Sequence, residues 1–316
     1  MIIIKKNKEN NIKIIIISIA ASSLFSCVSS YATSRYLYDS KEVRYDNTST
    51  SVLTSATDVQ TALDDLYSCA ATYELTIGNP DFHNVIFRGK DVTEYLTLEY
   101  SLYDRISDGT FTDLYVGDYI VANGITWRIA GFDIYYGKGW TNTENQTENQ
   151  TFNRHHAVIV PDTNLITAQM NTTATIKGGY VGSAMYTTTL PTVLSTYITP
   201  IFGDHVLAYQ TLLSTQASSG ASSDWESVIR KLDLMNENQV FGSKIFSTSG
   251  YDAGVDNIQF PLFRLKPEFV SKEHVSYWLR SIFNSTSFDA VSSEGSSRRY
   301  SPATEIQGVR PYFYIG

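Results

Sequence analysis

Tyr277-Trp278-Leu279-Arg280, answered near the carboxyl end by Gly308-Val309-Arg310-Pro311, is the stretch that decides the fold. Trp278 is large enough to plug a core if its indole N–H finds an acceptor. Arg280 and Arg310 are candidates for buried charge-assisted hydrogen bonds that tie the last strands together. Pro311 has no backbone donor and fits a strand only at its start or at an edge. All four read as scaffold.

Working outward, Val275–Arg280, Ser287–Ser292 and Gly308–Ile315 carry strand texture. Upstream, Leu114–Val121 and Ile125–Ala130 are β-rich runs separated by Asn123-Gly124, the strongest short hairpin signal a sequence offers. A polar loop follows over 137–153, then a short apolar strand, Ala157–Val160, ended by Pro161. Thr189–Ile201 reads as a helix. So does Ser223–Glu237, where Trp225, Val228, Ile229, Leu232 and Met235 recur at helical spacing behind a Ser223 cap. Strands, then helices, then strands predict an α+β domain over 113–316 whose two ends meet in one sheet.

The first 112 residues read differently. Residues 1–32 have the layout of an export signal. Lys5, Lys6, Lys8 and Lys13 precede an apolar run through Ile14–Ile17, Leu24 and Phe25. That run is shorter than the ~20 residues a spanning helix needs. Three outcomes stay open: cleavage after Ser30-Tyr31-Ala32, lipidation of Cys27 within Leu24-Phe25-Ser26-Cys27, or a retained anchor. Membrane contact is expected only through this leader. Residues 33–112 read as linker, amphipathic helix and connecting module. A short strand is expected at Glu42–Tyr45. Thr57 and Gln60 form a capping box before a helix with Val59, Leu63, Leu66 and Ala70 on one stripe. So short a helix is marginal alone. Residues 58–70 therefore pack on their own domain or assemble copies of the chain into a homo-oligomer. A strand at Asn84–Arg88, a helix near Val92–Ser107 and a turn at Asp108-Gly109 complete this part.

Three groups of residues together resemble a known family. They are Gly117-Asp118-Tyr119-Ile120 with Trp127-Arg128; His155–Pro161 with Gly178–Tyr186; and the closing pair quoted at the outset. Over roughly 110–316 the chain resembles C-type-lectin-like domains of the formylglycine-generating-enzyme type. Gut phage structural and receptor-binding proteins, and the variable proteins of diversity-generating retroelements, look like this. The resemblance implies a C-type-lectin-like fold of short mixed sheets with two helices. It also implies that the segment between the anchors is an exposed binding face. That segment, 281–307, is written in Ser, Asn, Gly, Tyr and Arg, residues suited to adaptable surfaces. The candidate ligand contacts are Phe283, Asn284, Ser287, Asp289, Ser292, Glu294, Ser296, Arg298, Arg299 and Tyr300. An ordinary polar hairpin is the alternative reading.

Composition narrows the function. Only 18% of residues are charged, 22 are Tyr, and the net charge is −8. Without a basic block in the head, a nucleic-acid groove is not expected. Only Cys27 and Cys69 exist, so structural zinc lacks ligands and the cysteine pair of the formylglycine-generating enzymes has no counterpart in the head. No Gly-x-Ser-x-Gly is present, and Gly178–Gly182 reads as a turn with close backbone approach, not a phosphate loop. His155 and His156 are adjacent at a strand start, so they should face opposite ways, and they read as structural, as do Asp81/His83 and Asp204/His205. The expectation is a secreted or virion-displayed adhesin or receptor-binding protein without cofactor or metal, engaging protein or glycan on a cell surface. A structural fibre or decoration subunit is the alternative, and an extracellular carbohydrate-active enzyme the third.

Overall fold

The structure is a computed structural model that describes residues 2–6, 12–16, 44–45, 80–138, 152–218, 221–247 and 258–316. Within these, the side chains of 2–6, 12–16, 44–45, 80–81, 215–218, 221–225 and 299–301 lie outside the described set. The chain divides into two units, Met1–Ile77 and Gly78–Gly316.

In the first unit, β1 (Ile2–Lys6) pairs antiparallel with β2 (Ile12–Ile16), and β2 pairs parallel with β3 (Arg44–Tyr45). The last of these falls within the strand expected at Glu42–Tyr45. Strands β1 and β2 take in Lys5, Lys6, Lys13 and Ile14–Ile16 of the expected leader. Cys27, Cys69 and the helical stripe of 58–70 lie outside the described residues.

The second unit is α+β and starts well before the boundary expected at 113. Val92, Tyr95, Leu102, Ile106 and Phe111 are buried in the same core as Ile120 and Trp127. The stretch expected as a connecting module is thus packed into this unit. It holds α1 (Pro80–His83), a 3-10 turn at Thr93–Leu96 and α2 (Leu102–Ser107). The strand expected at Asn84–Arg88 is reduced to one bridge, Phe87 to Val116. The helix expected near Val92–Ser107 is broken in two, because Ser101 caps α2 with a full capping box to Asp104.

Asn123 (φ 52°) and Gly124 (φ 75°) both take left-handed backbone, as a tight two-residue hairpin turn demands. They fold β4 (Tyr119–Ala122) onto β5 (Ile125–Phe132). Next come β6 (Ala157–Pro161) and β7 (Ile166–Ala168). A helical run over 185–202 covers the helix expected at Thr189–Ile201. Its segments Met185–Thr189 and Leu194–Ile198 are π turns, each followed by an α segment, Leu190–Val193 or Thr199–Phe202, whose second residue is Pro191 or Pro200. A proline at the first turn of a helix needs no donor, whereas mid-helix it would break the ladder. The buried residues follow the winding. Met185 to Leu190 and Val193 to Ile198 are five-residue steps across the π turns, and the other steps are the ordinary three or four.

The largest correction falls on 223–237. The chain is not helical there. β8 (Tyr209–Ser218) and β9 (Ala221–Arg230) form a long antiparallel hairpin, and β10 (Asp233–Leu234) follows. β-Branched residues in both arms and cross-strand pairing outweigh the coincidental helical spacing. A helix starts only at α3 (Glu237–Phe241), capped by Asn236 and Gln239. After α4 (Pro261–Leu265) and a 3-10 turn at Pro267–Ser271 come β11 (Tyr277–Asn284), β12 (Ser287–Val291), β13 (Ser297–Pro302), β14 (Gln307–Val309) and β15 (Pro311–Ile315).

Two five-stranded sheets result, ordered β10-β15-β6-β5-β4 and β13-β12-β11-β14-β7. The first joins the opening hairpin and the final strand, as the sequence predicts. The second is antiparallel except where β11 meets β14. A bulge in β5 at Gly131 admits Pro261. A Cβ there would lie 2.8 Å from the proline ring. Aromatic rings fill the core. Trp127 stands edge-on to Phe202 and Phe313, with centroids 5.5 and 5.7 Å away. The glycine turn is confirmed in kind: Gly182 approaches Gly178 so closely that a Cβ would lie 2.9 Å from backbone.

Candidate functional site

The three-stranded face β11-β12-β13 is held by the residues that open the sequence argument. Trp278 is fully buried and its indole N–H donates to Ala168 O at 2.8 Å. Arg280 meets Asp233 at 2.6 Å, and Asp233 also takes Arg230 at 2.7 Å, Tyr180 Oη–H at 2.6 Å and the Leu234 N–H at 2.8 Å. Every lone-pair direction of this buried carboxylate is served, which is the condition under which a buried charge cluster is tolerated. Arg310 donates to Pro161 O at 2.8 Å and to Phe269 O and Val270 O at 2.9 and 3.0 Å. Pro311 stands at the start of its strand.

The expected contact residues do not form one open strip. Glu294, Ser296 and Arg298 are exposed, and Phe283 and Asn284 are half-buried. Ser287, Asp289 and Ser292 are buried, at 3%, 0% and 9% exposure, and do not stand on the outer face. β12 is covered on both sides, so its alternation does not put every second residue in solvent. Arg299 and Tyr300 belong to β13, and their side chains lie outside the described residues.

The exposed members gather at two turns. At the β11–β12 turn Asn284 Oδ1 accepts from the Thr286 N–H at 2.9 Å, the local bond that makes Asn a turn former. At the β12–β13 turn Gly295 takes φ 81°, and Ser292 Oγ accepts from the N–H groups of Glu294 and Ser296 at 3.3 and 3.2 Å. Ser292 is therefore a turn former. Hydrogen bonds from Ser293 and Ser292 hold the Glu294 carboxyl below its ordinary value. Arg298 pairs with Glu305 at 3.0 Å in solvent.

The chemistry beneath this face was not read from the sequence. Glu237, 1% exposed, accepts from the N–H groups of Ile245, Phe246 and Ser247 at 2.9, 3.0 and 3.0 Å, and from Ser297 Oγ at 2.8 Å. It clamps the loop after α3 against β13, and Phe246 stands edge-on to Phe283. The Asn236/Gln239 capping box, which starts a helix at Glu237, was the available signal. Asp289 lies beside Glu237, and neither of its carboxylate oxygens has a hydrogen-bond partner. Burial first, then the neighbouring Glu237 charge, pushes Asp289 up to about 8. It is a neutral acid at pH 7.

Elsewhere the titratable groups are structural. β6 begins only at Ala157, so His155 and His156 precede the strand. The His155 ring is partly exposed, stacks on Tyr136 and reaches Asp133, whereas the His156 ring is buried against Phe152 and Tyr314 and bonds Asp133 through its backbone N–H. His155 Nδ1 lies 2.6 Å from the Asp133 carboxylate, and the His156 N–H donates to it at 2.8 Å. The His156 ring is buried, accepts from the Tyr135 N–H at 3.1 Å, and is pushed down to about 4, chiefly by burial. His83 is buried against Leu114 O and His205 stacks on Tyr103, whereas Asp81 lies outside the described side chains. Among the described residues no three His, Cys, Asp or Glu side chains are placed to hold a metal ion. No helix among them is long and apolar enough to cross a membrane.

Comparison of the chain with protein-family models, with curated proteins and with solved structures finds no match.

Proposed function

We propose that the chain is a non-catalytic recognition protein, exported or virion-displayed, with a C-type-lectin-like head. It binds protein or glycan on a cell surface through the rim of 281–307. One observation carries this reading: polar residues of the two turns, Asn284, Glu294 and Ser296, and Arg298 on β13 are exposed or half-buried at the ends of strands that Trp278, Arg280 and Arg310 pin from within. Side chains so placed can change without disturbing the frame beneath them.

The test replaces Glu294, Ser296 and Arg298 together by Ala in the full chain and measures retention on intact cells against melting temperature. Loss of retention at an unchanged melting temperature is expected. Unchanged retention refutes the rim as the binding face. A fibre or decoration role has its own support, because β13 is the terminal strand of its sheet, an edge open to pairing. On that reading the triple variant retains cell binding and loses assembly into higher oligomers.

A further inference from the structure

The head leaves one long strand edge unpaired. β8 and β9 form a sheet of their own, and β9, ten residues long, has no second neighbour among the described residues. The other strand edges of the head are shorter. β4, β7 and β10 run four, three and two residues, and β13 runs six and ends on Pro302. β4 is also covered from outside, since the Tyr119 N–H donates to Lys90 O and the Val92 N–H to Tyr119 O, at 2.9 Å each. β9 contains no proline and has no such cover among the described residues.

Which groups of β9 face outward follows from its ladder. Gln210, Leu212 and Ser214 oppose Ile229, Ser227 and Trp225. Gln210 O accepts from the Tyr135 hydroxyl, and Ser214 O accepts from the Val181 N–H at 3.2 Å, so the carbonyls of this set turn away from β9. In an antiparallel pair, a residue whose backbone turns away from the partner strand opposes one that does the same. The N–H and C=O groups of Ser227 and Ile229 therefore point out along the free edge, and those of Glu226, Val228 and Arg230 are spent on β8. The side chains there suit further burial, with Ile229 74% exposed and Val228 half-buried. Unpaired backbone beside exposed apolar side chains is a template for the addition of a strand.

The charges say which strand fits. The exposed Glu226 stands on one side of Val228, and Arg230 and the exposed Lys231 stand on the other. Arg230 and Arg280 share the single charge of Asp233, so the basic end stays positive and Lys231 adds to it. A strand with an acid toward one end and bases toward the other complements itself when reversed, whereas a parallel copy sets like charge on like. We propose that β9 pairs antiparallel with β9 of a second copy of the chain, about a two-fold axis at Val228. In that register Ser227 and Ile229 exchange both backbone hydrogen bonds with Ile229 and Ser227 of the second copy. Glu226 faces Arg230 of the second copy, and Val228 faces its own counterpart. The axis falls on a residue because only then do opposed side chains share a face of the joined sheet. The inference goes beyond the recognition reading and does not rest on it, since no residue of 281–307 belongs to β9.

The test is sedimentation velocity on the full chain from micromolar to submillimolar concentration, with melting temperature measured in parallel. A reversible dimer is expected. Glu226→Lys sets like charge against the basic end of the second copy at two symmetry-related places and should raise the dissociation constant about tenfold or more. Ser227→Pro removes an outward N–H that β8 does not use, so it should dissociate the dimer and keep the hairpin, whereas Ser227→Ala should leave the dimer intact. Cysteine reads the register. With Cys27 and Cys69 replaced by Ser, Val228→Cys should cross-link to its counterpart on mild oxidation, because opposed residues of a non-hydrogen-bonded pair lie about 4.5 Å apart at Cα, within disulfide reach. Glu226→Cys, which opposes a different residue, should not. A chain that stays monomeric across the range would overturn the proposal. So would a dimer that survives both Glu226→Lys and Ser227→Pro, which is held at another surface, or cross-linking of Glu226→Cys in place of Val228→Cys.

Discussion

Asp289→Asn should change the pH dependence of stability more than any other single substitution in the head. Asp289 is fully buried with both oxygens unpartnered, and its carboxyl titrates near 8 where an ordinary aspartate titrates at 3.8. The folded protein holds this proton between those values and the unfolded chain does not. Stability therefore falls as pH rises from about 4 to about 8 and is flat beyond. At 1.36 kcal/mol per unit, a shift of about four units sets a ceiling of about 6 kcal/mol, of which about 4 is already spent at pH 7. Relaxation of the site and water entry make the observed figure smaller.

Asn carries no titratable proton. It also introduces buried amide groups without partners, a penalty of about 1–3 kcal/mol that is independent of pH. The slope, not the offset, is thus the readout. Urea unfolding at pH 5, 6, 7 and 8 should show the difference between Asp289→Asn and wild type moving in the variant's favour by up to about 1.4 kcal/mol per pH unit. Parallel curves across that range would refute the assignment of a neutral buried acid. They would mean that Asp289 finds a cation or a donor in solution.

The other expectations are simpler. His156→Gln should flatten the acid side: a buried neutral imidazole pushed down to about 4 makes the folded state lose stability as pH drops from about 6.5 toward 4, by up to about 3 kcal/mol, and calorimetry at pH 4.5 and 7 reads the difference. Arg280→Met should cost about 3–5 kcal/mol in urea unfolding, because it strips Asp233 of one of two guanidinium partners inside the core. Gly131→Ala should cost about 1–3 kcal/mol, because its Cβ would press on the Pro261 ring. Arg298→Ala should cost under about 1 kcal/mol, since its pair with Glu305 is solvent-exposed.

What the sequence revealed of the fold was set by local chemistry. Asn123-Gly124 specifies its turn without help from the rest of the chain, and Trp278, Arg280 and Pro311 announce burial or a strand start by residue type alone. Ser223–Glu237 reads as a helix because Val228, Leu232 and Met235 fit a helical period, and only the pairing of Ala221–Arg230 with Tyr209–Ser218 shows otherwise. The site was half legible for the same reason. Glu294, Ser296 and Arg298 sit in turns or at a sheet edge, where polar composition does mean exposure. Asp289 and Ser287 sit on a strand that is covered on both faces, and nothing in Ser287–Val291 says what lies above it. Glu237 stands near Asp289 and bonds Ser297 on the next strand, neighbours more than fifty residues away that leave no periodic trace.

The arginines explain how two sheets of short strands keep their register. The chain passes between the two sheets four times among the described residues, and two of these passages come within reach of Arg310: the one between β6 and β7 and the one between β14 and β15, where only Arg310 intervenes. At the first crossing Asp162 receives Arg128 and Lys272. Burial raises its carboxyl, but the hydrogen bonds from those two cations outweigh burial and hold it below the ordinary value. At the passage between β14 and β15, Arg310 reaches back to Pro161 O, at the end of β6, and to Phe269 O and Val270 O near the end of the 3-10 turn. An apolar side chain of the same volume would fill the space but give up three hydrogen bonds to backbone carbonyls, of which Val270 O keeps another donor, the Tyr277 hydroxyl. The guanidinium does both and so fastens these two passages to each other. Registration of the sheets thus depends on residues that lie outside 284–306, and the turns of that segment bear little of the load. A frame so fixed leaves its outer turns free to be chosen for what they touch, which is the condition the recognition reading requires.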